Sequence, residues 1–152
     1  MPSVSTSFLY SLITMLIVGT ILTFSMIQYV NPLREMSEVN SLKDILNNIA
    51  GKAEECLVTV TEYNATSSIV VKLPLAVGNR DYWIRFSNDS SKAWLECGFG
   101  RPGEIVGQTY RVYLSRAVSA SGIFEGRYEF ALLNCSLSGY MPELILGDRG
   151  ET

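Results

Sequence analysis

The stretch FLYSLITMLIVGTILTFSMIQYV, residues 8–30, has no charged side chain, and the 12 basic and 15 acidic residues of this 152-residue chain all lie at or beyond Arg34. A cleaved export signal would carry a basic leader, an apolar core of about 7–15 residues and a small-residue cleavage site. Here the run is 23 residues long, with no basic residue ahead of it. As a helix rising about 1.5 Å per residue, it can cross a hydrocarbon core of roughly 30 Å with some tilt. The run therefore reads as a retained span, either a membrane anchor or the buried core of an assembled filament.

The sequence beyond the span is long enough for one compact domain. A net charge of −3 without a clustered basic face excludes nucleic acid as a partner, because phosphates require concentrated Lys and Arg. The chain has no histidine, which removes the commonest general base, the Ser-His-Asp and Cys-His arrangements and most catalytic zinc sites. Glu54 and Glu55 are neighbours on a predicted helix, point in different directions and read as solvated charges. The loop Gly98-Phe99-Gly100-Arg101-Pro102-Gly103-Glu104 lacks the Lys-Ser/Thr ending of a phosphate cradle and reads as a strand connector. No catalytic residue, metal ligand or cofactor site is expected, and the function class is not an enzyme.

Asn31-Pro32 predicts a bend in the helix. Beyond it Leu33, Met36, Val39, Leu42, Leu46, Ile49 and Ala53 recur at spacings of three and four, so the helix is expected to resume to about Glu55, with Gly51 as a weak point. Two-residue alternation comes next, and strands are expected over 57–63, 69–75, 82–87, 93–97, 109–117 and 127–135. Tyr82, Ile84 and Phe86 share one face opposite Trp83, Arg85 and Ser87; Tyr110, Val112 and Leu114 oppose Arg111, Tyr113 and Ser115. Turn-formers at 64–68, 78–81, 88–91 and 119–122 support short antiparallel links, and Pro74 predicts an edge strand or a strand end. The expected fold class is α+β, a long N-terminal hydrophobic helix followed by a small antiparallel β-sandwich. Its divisions are 1–55 for the helix, 56–146 for the β-domain and 147–152 for a polar tail.

Ser7, Ser11, Gly19 and Thr23 follow an i, i+4 ridge broken by Met15, and such small residues let helix backbones approach closely. Asn64, Asn88 and Asn134 each open an N-glycosylation sequon after the span. Cys56, Cys97 and Cys135 allow one disulfide by three pairings; Cys97 and Cys135, each closing a predicted strand, are the expected pair, with Cys56 free or paired between copies. Arg34 and Lys43 after the span favour a cytoplasmic body by the positive-inside rule, but long domains translocate largely regardless of charge. The sequons, cysteines and β-rich body together predict an extracytoplasmic domain.

A long helix, apolar first and amphipathic later, bent at a proline and carrying a β-domain, resembles archaeal type IV pilin-like proteins, which include pilins, adhesion-filament subunits, archaellins and membrane-anchored archaellum-base relatives. The uncharged opening Met1-Pro2-Ser3-Val4-Ser5-Thr6-Ser7 is similar to the leaders of the archaellum-base proteins. Ile69-Val70-Val71-Lys72-Leu73-Pro74, followed by Val77-Gly78-Asn79 and Tyr82-Trp83-Ile84, is similar to a strand, turn and strand common in these domains. The basic residue that precedes cleavage in pilin precursors is missing from residues 1–7. The resemblance implies a surface-filament subunit that self-assembles through its N-terminal helix. The alternative is a permanent membrane anchor whose β-domain binds a surface-layer or archaellum component, with Trp83 and Trp94 as contact anchors.

Overall fold

The computed structural model describes residues 3–89, 91–103, 106–139 and 141–148. Met1 and Pro2 of the opening, Ser90 of the second sequon, Glu104 of the glycine-rich loop and residues 149–152 of the tail lie outside the described residues. One helix, α1 (Ser3–Tyr63), is followed by β1 (Ser67–Lys72), β2 (Tyr82–Asn88), β3 (Ala93–Phe99), β4 (Val106–Tyr113), β5 (Ser119–Glu125), β6 (Phe130–Ser138) and β7 (Met141–Asp148). The chain divides into two compact units, residues 1–39 and 40–152, so the helix from Asn40 onward belongs to the same unit as the strands.

In the first unit the large apolar side chains from Phe8 to Met36 are exposed, and the helix is long and apolar enough to cross a membrane. Pro32 lies inside continuous helix. Thr14, Thr20 and Thr23 donate their hydroxyls to the carbonyls of Tyr10, Leu16 and Gly19 at 2.7–2.8 Å. Each of these hydroxyls is thus satisfied within its own helix, which removes the cost of placing it in an apolar medium.

In the second unit the helix runs to Tyr63 rather than to Glu55, and the strand expected over 57–63 does not form. Leu42, Leu46, Ile49, Ala53, Cys56, Leu57 and Val60 are all buried and continue one stripe at helical spacing. Burying Cys56, Leu57 and Val60 on that stripe outweighs the strand preference of Val58, Thr59, Val60 and Thr61. The two threonines adapt by donating to Glu55 O and Leu57 O one turn back. The helix stops at Asn64, whose φ of 49° is the left-handed conformation that closes a helix.

The strands form one continuous seven-stranded sheet of order β1-β6-β7-β5-β2-β3-β4. The class is α+β, as expected, with one sheet covered by the helix where a two-sheet sandwich was expected, and every strand pair but one is antiparallel. The exception is β5 with β7. Residues 119–122, expected as a turn, form the first half of β5 and pair in parallel with β7, which was not anticipated as a strand. Gly122 is the handover point: Ser119–Gly122 pair with β7, and Ile123–Glu125 pair with β2. Its φ of +114° suits glycine, and a Cβ there would run into the Leu146 carbonyl. Gly147 and Asp148, expected in the tail, close β7.

β1 is an edge strand that ends at Lys72, two residues before Pro74, as proline requires. The β2–β3 link is tied by Asp89, whose carboxylate accepts the backbone N–H groups of Ser91 and Lys92. Those bonds hold the exposed Asp89 carboxyl below its ordinary pKa. One sheet face carries Ile84, Leu95, Cys97, Phe124, Leu133, Cys135 and Leu144, all buried, and the helix from Asn40 covers it. Lys43 lies over the Tyr110 ring in β4, Glu54 accepts the Ser115 N–H at 3.1 Å, and the Cys56 thiol donates to the Ser67 carbonyl at the start of β1. Glu54 is therefore a docking group between helix and sheet, not only a solvated charge.

Candidate functional site

Ser7, Ser11, Gly19 and Thr23, the expected helix-packing residues, are exposed in the first unit. At about 100° per residue, an i, i+4 row advances roughly 40° per step, so Ser7 and Thr23 end on nearly opposite sides of the helix. The small residues form two adjacent pairs along a winding row rather than one flat face. Around Gly19 there is open space, with no heavy atom within 4 Å of where a Cβ would stand.

The face of the sheet away from the helix holds a second constellation, built by register. Arg85, Glu96 and Arg111 are direct partners across β2, β3 and β4. Their side chains alternate with those of the core, so all three project from the same outer face. Glu96 is only 2% exposed, and its two carboxylate oxygens are shared out. Arg85 donates to Oε1 through both Nε and Nη2, the former at 2.6 Å, and Arg111 Nε donates to Oε2 at 3.1 Å. Each guanidinium also lies near an indole, Arg85 at 5.6 Å from the Trp83 ring and Arg111 at 5.7 Å from the Trp94 ring.

Trp94 and its cross-strand partner Tyr113 meet with ring centroids 6.1 Å apart, and Lys92 lies 5.9 Å over Tyr113. Trp83, opposite Gly98, is 6% exposed, and Trp94 is half-buried; neither indole N–H has a partner, and both are shielded from solvent. Arg85 and Arg111 keep about half of their side-chain surface in solvent. With one buried carboxylate between two arginines and Lys92 alongside, the patch presents cationic and aromatic groups in fixed geometry. Arg, Trp and Tyr are the residue types that most often dominate contact energy at protein interfaces. Sequence reasoning singled out Trp83 and Trp94 but missed Arg85, Glu96 and Arg111, whose signal is their shared parity on three strands.

Asn64, Asn88 and Asn134 are all exposed, at the helix terminus, at the end of β2 and within β6. Asn134 Oδ1 accepts the Ser68 hydroxyl at 2.7 Å. The expected Cys97–Cys135 pairing is not compatible with the sheet. β7, β5 and β2 lie between β6 and β3, which is roughly 19 Å at about 4.8 Å per strand step, against the ~7 Å limit for bridged Cα atoms. All three cysteines are free and buried. Burial pushes the Cys97 thiol up to about 12. Among the described residues no group of three or more His, Cys, Asp or Glu gathers to hold a metal ion.

By architecture the chain is an α+β protein in which an apolar, span-length helix leads without a loop into the helix of a mainly antiparallel β-domain. No protein-family model, curated protein or solved structure matches it.

Proposed function

We propose that the chain is a structural, non-enzymatic subunit of an archaeal type IV pilus-like surface filament, with the apolar helices of neighbouring copies bundled and the β-domains outside. One observation carries the reading: a single helix whose exposed apolar stretch, Phe8 to Met36, passes without a loop into the stripe from Leu42 to Val60 that is the core of the β-domain. Exposed apolar surface on this scale demands either lipid or other helices. The internally bonded threonines and the open space at Gly19 suit close helix contact. Electron microscopy of sheared surface filaments with mass spectrometry of their subunits tests it. The chain is expected in filaments; its confinement to the detergent-extracted membrane fraction overturns the reading.

A second reading is a membrane-anchored module whose β-domain holds a surface-layer or archaellum component, and the Arg85–Glu96–Arg111 face with the half-buried Trp94 and the exposed Tyr113 favours it, whereas Trp83, expected as a contact anchor, is buried. Substituting Arg111 and Tyr113 together by Ala separates the two: loss of a co-purified surface protein supports the module, whereas unchanged capture with intact filaments supports the subunit.

Both readings place the β-domain outside the cell, and the three exposed sequon asparagines support that side. Protease applied to intact cells is expected to remove the β-domain and spare residues 8–30. Digestion only after lysis would place the domain in the cytoplasm and overturn both readings.

A further inference from the structure

Cys56 lies two turns before the end of α1 and points into the sheet, where its thiol donates to the Ser67 carbonyl at 3.6 Å. Ser67 is the direct partner of Cys135 in the β1–β6 ladder. The Cys135 side chain shares the inner face with Ala131 and Leu133, so Cys56 reaches the residue that stands directly opposite Cys135. Both residues are completely buried. Two buried cysteines from different elements thus converge on Ser67 where the helix leaves the sheet, while Cys97, on β3, faces the same core with β7, β5 and β2 between it and β6.

We propose that Cys56 and Cys135 are a disulfide site that a disulfide-containing oxidant closes as the domain folds, stapling the end of α1 to β6. In the exchange, the thiolate of one cysteine attacks the oxidant's S–S bond and releases one thiol. The second cysteine then attacks the protein-side sulfur of the mixed disulfide and releases the other thiol. The protein dithiol loses two electrons and two protons, and the oxidant is reduced to two thiols. Attack requires a thiolate. Burial and the neighbouring Cys56 raise the Cys135 thiol well above its ordinary pKa, which slows exchange in the finished fold and favours closure during folding.

The test uses the full chain, unfolded and reduced in guanidinium chloride and then diluted into detergent micelles containing reduced and oxidised glutathione. Free thiols are blocked with N-ethylmaleimide and the peptides mapped without reduction. The expected product is one linked peptide pair containing Cys56 and Cys135, with Cys97 alkylated, and Cys97→Ala gives the same pair. Added reductant is expected to lower Tm by on the order of 10 °C, because the link closes a long loop. A link containing Cys97, or alkylation of all three cysteines in a chain folded by circular dichroism, overturns the proposal. The wild-type peptide map decides alone if Cys56→Ala or Cys135→Ala fails to fold. Because the oxidant is supplied in vitro, failure here is distinct from failure of the exterior location.

Discussion

Gly98 lies beneath the indole of Trp83, its direct partner across β2 and β3: a Cβ on Gly98 would stand 3.0 Å from Cζ2 and 3.2 Å from Nε1 of that ring. The glycine is what allows a tryptophan to lie flat on the outer face and to be buried there. Gly98→Ala is expected to displace the indole and cost about 1–3 kcal/mol by overpacking. Urea denaturation of the full chain in detergent, followed by tryptophan fluorescence, measures this. In a Trp83→Leu background the same substitution is expected to cost clearly less.

The row Arg85–Glu96–Arg111 has its carboxylate inside and its cations half outside, so its members are not equivalent. Glu96→Gln keeps the shape but leaves two guanidinium groups without their counter-charge, and a loss of about 2 kcal/mol is expected. Arg85→Ala is expected to cost less, because its solvated half is screened and Glu96 retains Arg111. Equal losses in urea midpoints would contradict this asymmetry.

Helical structure over residues 57–63 gives adjacent residues opposite fates, Leu57 being 1% exposed and Val58 38% exposed. Leu57→Ala should therefore cost about 2–5 kcal/mol and Val58→Ala less than about 1 kcal/mol. Thermal unfolding of both variants checks the contrast.

Alkaline pH should weaken the domain. Burial pushes Tyr82 up to about 12 from an ordinary 10.0, and Cys97 up to about 12 from 9.0. Both groups hold their protons more tightly folded than unfolded, so the stability they contribute is complete below the unfolded values and is lost as pH rises from about 9 to about 12. Stability should fall over this window, and Cys97→Ala should make the decline shallower. Urea titrations at pH 8 and pH 11 read the difference; a flat profile contradicts it.

Gly19→Leu adds bulk to an exposed position of the span without touching the β-domain. Under the filament reading it should abolish or sharply reduce assembled filaments while leaving the Tm of the domain unchanged. Counting filaments by electron microscopy beside a melting curve separates the two effects.

The parts legible in the chain itself are those whose cause is local. An uncharged run of 23 residues is a span-length helix wherever it occurs, because its backbone must be satisfied internally once it leaves water. Alternation in Tyr82, Ile84 and Phe86 gives a strand with one buried face, and Pro74 stops an edge strand because it has no N–H to donate. Tertiary structure decided what depended on distant residues. Residues 57–63 carry strand-favouring types, yet they are helical because the sheet offers Cys56, Leu57 and Val60 a place to be buried. Residues 119–122 resemble a turn, yet Leu144 and its neighbours recruit them into a parallel pair. Arg85, Glu96 and Arg111 lie far apart in sequence, as do Cys56 and Cys135. Which of them meet is set by strand order and register, and these arise from how the whole core packs rather than from any one segment.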